Sequence, residues 1–138
     1  MIFIGVIKLI NLLNESRKRF NSKTVIPGEI YDESDVYSYV QRIHSNEEDF
    51  DTGDLGQRIE HYKRYKIEII DISKLNLDRF QIYPDVVNKY IKQYKKYGVY
   101  LPIVTTDDYE IIDGNHRATA LNELGINKIL GFVGMKNK

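Results

Sequence analysis

The sequence predicts an α/β protein of the α+β kind, a small mixed sheet with packed helices, preceded by a helical N-terminal extension. Three observations predict it. The second half alternates β-branched runs with amphipathic stretches, each closed by a glycine or a polar turn. The first half lacks that rhythm and is locally acidic. The chain has 138 residues, 42% apolar and 29% charged, which suits one globular core rather than a disordered polymer.

Composition removes several function classes. There are 20 Lys+Arg and 20 Asp+Glu, so the formal net charge is zero, which argues against a broadly basic nucleic-acid binder. The chain has no cysteine. Disulfides, thiolate zinc sites, iron–sulfur clusters and cysteine nucleophiles are thereby excluded.

The elements follow in order. Met1 to Leu13 (MIFIGVIKLINLL) is interrupted by Gly5, Lys8 and Asn11 and is shorter than the roughly 20 apolar residues a membrane span needs. It lacks the positive start of a signal peptide. It reads as an amphipathic helix with Val6, Ile10 and Leu13 on one stripe, able to dock on the body or a protein partner. No transmembrane segment and a cytoplasmic location are the expectations. From Glu29 to Asp54 nine acids face one base, Arg42, so this stretch is expected to be a solvated extension or a contact surface for a basic protein. Within it Val36, Tyr39, Val40 and Ile43 predict a helix over 34–45. Ser45 to Gly56 reads as a polar loop whose DFDTGD core lacks the ligand spacing of a calcium loop. Tyr62 to Tyr65 is expected to end a helix, which places a boundary between an extension, 1–66, and a domain, 67–138.

Ile67 to Ile72 is β-branched and predicts a strand. Asp85 is a candidate N-cap for a helix to Tyr97, with Gly98 as its left-handed stop. Val86, Tyr90, Tyr94 and Tyr97 share a face of it, expected to be buried, with Lys89, Lys92 and Lys96 on the solvated side. Pro102–Thr105 and Tyr109–Ile112 predict an antiparallel pair around Thr106–Asp108. A helix over about 115–124 ends at Gly125, and Lys128–Val133 is the last strand.

The segment that carries chemistry is YEIIDGNHRATALNELG, residues 109–125: strand, tight turn, helix. Gly114 allows the sharp turn and close approach of a ligand. Asn115, His116 and Arg117 fall in the helix's first turn, where unpaired N–H groups and the positive end of the dipole favour an anion. Arg117 adds a cationic fork suited to phosphate, His116 a hydrogen bond or a proton, and Thr119 a hydroxyl if it faces the same way. Asp113 is placed to orient His116 or Arg117, bind a sugar hydroxyl, or hold a metal bound to phosphates. The plain structural reading of Asp113 and His116 is a pair that tightens the turn. His44 and His61 have no partners at metal-ligand spacing and are expected at the surface.

These residues, with the preceding helix and the LPIV strand, resemble the ParB/sulfiredoxin-like superfamily over roughly residues 67–135. The matching turn is Gly-Glu-Arg-Arg in ParB-type partition proteins, Gly-Cys-His-Arg in sulfiredoxins and Asp-Gly-His-His-Arg in ParB-like free serine kinases. Here it reads Asp113-Gly114-Asn115-His116-Arg117, most similar to the last two. The resemblance implies a nucleotide (ATP, ADP or CTP, with Mg²⁺) gripped by Gly114, Asn115, His116, Arg117 and Thr119. It implies a small kinase or NTPase in which His116 and Asp113 act with an early carboxylate, Glu68 or Asp71. As plain strand residues, those two are expected to face solvent. Asn115 stands where sulfiredoxins carry the reactive cysteine, so thiol-based sulfinic acid reduction is not expected. The helix-turn-helix of partition proteins does not follow within these 138 residues, so a DNA-clamp CTPase is not expected either. Two alternatives stay open: a non-catalytic binding or structural module that keeps the anion site, and a ParB-like DNA-binding or nuclease domain.

Overall fold

The computed structural model describes residues 20–44, 52–78 and 81–136. The expected apolar helix at 1–13 lies outside them. The elements are β1 (Ile30–Asp32), α1 (Glu33–Ile43), α2 (Thr52–Glu60), β2 (Arg64–Asp71), a 3-10 turn (Ile72–Lys74), α3 (Pro84–Tyr97), β3 (Ile103–Thr105), β4 (Ile111–Asp113), α4 (Asn115–Glu123) and β5 (Lys128–Gly134). The strands form one five-stranded mixed sheet in the order β1-β2-β5-β3-β4. Its one parallel pairing is β3 with β5; the other three are antiparallel. This is the α+β class expected from the sequence.

Strand alternation divides the core between the two faces. On one face Tyr65, Ile67, Val104, Ile112 and Phe132 pack with Val36, Tyr39 and Val40 of α1 and Ile59 of α2. On the other, Ile70, Ile103, Ile111, Ile129 and Val133 pack with Ala118 and Leu121 of α4. Phe20 joins the first core through edge-on contacts with Tyr31, Tyr39 and Phe132 at 5.0, 5.5 and 5.4 Å. The segment expected as an extension thus supplies strand β1, paired through Ile30–Lys66 and Tyr31–Tyr65, and much of one core. The expected boundary at 66/67 falls inside β2.

The second half follows its local signals closely. α3 begins at Pro84, one residue before the expected N-cap, because proline is suited to a first helical position. Gly98 caps it with φ +68°, the left-handed stop that was expected.

Four expectations need correction. The polar loop over Ser45–Gly56 is helical from Thr52 onward; residues 45–51 lie outside the described set. Gly56 lowers the helical propensity of that stretch, and a Cβ there would stand 2.9 Å from the Tyr37 ring, which would have to shift. The YKRY stretch does not end a helix, because α2 stops at Glu60 and β2 begins at Arg64. Tyr109 is not strand but left-handed backbone, φ +68°, and β4 starts two residues later. Finally, the tyrosine face of α3 is not buried core. Only Val87 is buried on that helix, while Tyr97 is 40% exposed and Tyr90 and Tyr94 are half-buried. They border a gap that side chains do not fill. Among the described residues, no helix is long and apolar enough to cross a membrane.

Candidate functional site

The site begins at Gly114, the residue between β4 and α4, with φ +105°. A Cβ there would lie 2.7 Å from Ile103 Cγ2 and 2.8 Å from Arg117 Nη2, so both conformation and space demand glycine. The tight turn opens α4, whose first N–H groups have no intrahelical acceptors. An anion fits that geometry.

Asp113 and Arg117, the charged ends of the turn, point inward. Asp113 is 9% exposed and Arg117 3% exposed. Arg117 Nη2 donates to Asp113 Oδ2 at 3.3 Å and to the Pro102 carbonyl at 3.0 Å, and its Nε donates to the Leu101 carbonyl at 3.2 Å. Asp113 Oδ1 lies 2.7 Å from His44 Nε2, at the C-terminal cap of α1. An ionised carboxylate only accepts, so Nε2 carries the proton in this contact. Burial works to raise the Asp113 pKa, but the Arg117 and His44 charges and hydrogen bonds outweigh it and hold the carboxyl below its ordinary range. For Arg117 burial works the other way and is outweighed by Asp113, so the guanidinium stays firmly charged. Tyr39 of α1 completes the group by donating its hydroxyl to the Pro102 carbonyl at 2.6 Å. Burial pushes that hydroxyl well above its ordinary pKa, so it remains a donor.

The outer residues of the turn differ. Asn115 has both side-chain polar atoms buried with no hydrogen-bond partner among the described residues. A buried amide without partners carries a desolvation cost of about 1–3 kcal/mol. His116 is half-buried; its Nε2 accepts from the Tyr83 backbone N–H at 3.1 Å and its ring stacks on Tyr83 at 5.8 Å and 17°. In the neutral ring the proton therefore sits on Nδ1. Thr119 donates its hydroxyl back to the Asn115 carbonyl at 2.9 Å, an intrahelical bond.

Glu68 stands apart. Its partner in β5 is Gly131, which pairs in turn with Ile103, so two strand spacings, about 10 Å, separate it from the floor of the turn. It is half-buried rather than solvent-facing, and its Oε1 accepts from the Tyr109 hydroxyl at 3.0 Å. Lys74 Nζ lies 5.3 Å from the centre of the same ring. Asp71 caps the 3-10 turn by accepting from Ser73 N–H at 3.0 Å, which lowers its pKa. Neither carboxylate touches the anion-favouring turn.

A cavity of about 320 Å³ lies between α1 and α3. Tyr90, Tyr94 and Tyr97 wall it on one side, Asp35, Tyr39 and Arg42 on the other, and Arg117 with Leu121 forms its floor. Lys89, expected on the solvated side, borders it too. Of the expected site residues only Arg117 lines this space. Sequence reasoning missed His44 and Tyr39. His44 was expected at the surface, and its partner lies 69 residues away, so no local pattern announces the contact.

No protein-family model matches the chain, and no curated protein matches it. Solved structures similar to it include a pNOB8-like ParB N-domain, 19% identical, with a TM-score of 0.44, covering 53% of this chain and 28% of that one. The C2221 form of a Pnob8-like ParB-N domain is 18% identical with a TM-score of 0.44, covering 53% and 31%. Sulfiredoxin from Arabidopsis thaliana is 18% identical with a TM-score of 0.44, covering 51% of this chain and 85% of that one. The chain thus spans less than a third of the ParB chains it resembles.

Proposed function

We propose that the protein binds a nucleotide, with its phosphates at the first turn of α4 and its base in the tyrosine-walled cavity. One observation carries this reading: Arg117 belongs to both features, its backbone in the first turn and its side chain in the cavity floor. A bare anion site would need only the turn. An aromatic cavity beside it suits a ligand that joins phosphate to a planar ring. In this reading the Asn115 amide, buried and without a partner among the described residues, turns outward to donate to phosphate. His44, Asp113 and Arg117 hold the turn in shape, so they are positioning residues. ATP, ADP and CTP are the nucleotides the turn's resemblance implies. A Mg²⁺ ion would come bound to the phosphates; both Asp113 oxygens are engaged, so Asp113 does not suit it as a ligand.

Binding without turnover is the second reading, and the inward pairing of Asp113 with Arg117 favours it. In a kinase or NTPase the charge that offsets developing phosphoryl negativity points at the ligand. Here the group nearest that task is His116, through its Nδ1 side.

Calorimetric titration and thermal shift with ATP, ADP, CTP and GTP, with and without Mg²⁺, test the proposal. A nucleotide at 100 times its Kd adds about 2.7 kcal/mol of stability. Asn115→Asp, which keeps a polar residue favourable at a helix start but repels phosphate, should fold and lose that gain. No shift of the wild type by any nucleotide refutes the proposal. Phosphate release or transfer that disappears in His116→Ala marks an enzyme; binding with no release marks the module.

A further inference from the structure

Beside Arg117 the cavity has aromatic and charged residues of its own. On α3, Tyr90, Tyr94 and Tyr97 recur at four- and three-residue spacing, so one helix face presents a row of rings to it. On α1, Asp35 and Arg42 border the same space; seven residues apart, they lie two turns along one face. Asp35 is half-buried and Arg42 exposed. The volume, about 320 Å³, is at the small end of the roughly 300–1,000 Å³ typical of ligand pockets, and suits a base rather than a large cofactor.

We infer that this cavity selects guanine among the bases, with Asp35 reading the base edge; the inference rests on the nucleotide reading above. An ionised carboxylate only accepts hydrogen bonds and offers about four acceptor sites, so a protein partner at one of them leaves others for a ligand. Guanine carries two adjacent donors, N1–H and the N2 amine, on one edge. Adenine and cytosine each place an acceptor nitrogen beside a single amine, and uracil places one N–H between two carbonyls. Against Asp35 guanine pairs twice, while the other bases bring a lone pair toward a negative charge. The guanine O6 and N7 acceptors suit the donors of Arg42. The tyrosines supply stacking surface, which every base shares and which therefore adds affinity without selecting.

The test is titration of the full chain with GTP, ATP, CTP, UTP and inorganic triphosphate at one ionic strength. The expected result is a GTP Kd lower than the others by about tenfold or more, because a site built on paired donors rejects ligands that lack them. Asp35→Asn should remove that preference and admit xanthosine triphosphate, whose C2 carbonyl accepts from the new amide. A merely structural Asp35 would not produce that exchange. Equal binding of all four nucleotides overturns the guanine inference and leaves nucleotide binding intact. Inorganic triphosphate binding as tightly as GTP also overturns it. No binding by any of the five refutes both readings together. If Asp35→Asn does not fold, the comparison among wild-type ligands still decides.

Discussion

His44 and Asp113 are 69 residues apart in the chain and 2.7 Å apart in space. The contact ties the end of α1 to the strand end that launches the candidate phosphate turn. With the His44 side chain 13% exposed, solvent reaches the pair only partially. Asp113 is held from both sides, by His44 and by Arg117, so the shape of the turn depends on a helix from the first third of the sequence.

Removing the histidine should therefore be felt at the turn. His44→Ala leaves a buried carboxylate oxygen without its donor, a loss of about 1–3 kcal/mol. Urea denaturation should show it as a lowered midpoint with an unchanged slope. His44→Gln, which can still donate, should recover part of the loss. Equal stability of His44→Ala and wild type would show that the contact contributes nothing.

The pH dependence has a definite sign. Asp113 has a folded-state pKa below its unfolded value of about 3.9, so between the two values the unfolded chain binds more protons. Its contribution is fully present above the unfolded pKa and is lost as pH falls through the folded one. Asp113→Asn should flatten this acid limb of the stability profile. At neutral pH the same variant should lose about 3–5 kcal/mol, because Arg117 is left buried without its counter-charge. Thermal melts from pH 2 to 7 on both proteins check each part.

Two glycines separate strain from crowding. Gly98 has φ +68° with open space where a Cβ would go, so Gly98→Ala should cost only the left-handed penalty, about 1–2 kcal/mol. Gly114 has φ +105° and also places a Cβ against Ile103 and the Arg117 guanidinium. Gly114→Ala should lower the melting temperature more than Gly98→Ala. The reverse order would mean that the turn relaxes freely.

Phe20 tests whether the early residues belong to the core. It is 5% exposed against Tyr31, Tyr39 and Phe132. Phe20→Ala should cost about 3–5 kcal/mol in chemical denaturation. A surface-like cost of about 0.5 kcal/mol or less would mean that an appended segment, not a core residue, had been changed.

Much of the site was legible because its signals are local. The β-branched strand, the glycine, the polar first turn and the Ala/Leu face of α4 all lie within residues 109–125, and short-range sterics and periodicity determine them. The same holds for α3, from Pro84 to the left-handed Gly98. The roles of the charges were not legible in this way. Arg117 reads as an outward cation until the Leu101 and Pro102 carbonyls, just before the start of β3, give it an inward set of acceptors. The start of α2 was hidden because Gly56 lowers its propensity, and the burial of Ile59 against the sheet outweighs that.

By itself, then, the sequence determined the α+β class, the strand–turn–helix at Gly114 and the two glycine stops, all consequences of φ/ψ limits and hydrophobic period. Only the tertiary structure decided that the early segment completes the sheet, that His44 and Tyr39 brace the turn, and that the α3 tyrosines face a cavity instead of a core. Those outcomes depend on which surfaces meet after the chain closes, and the meeting of residues dozens of positions apart leaves no periodic trace in either segment.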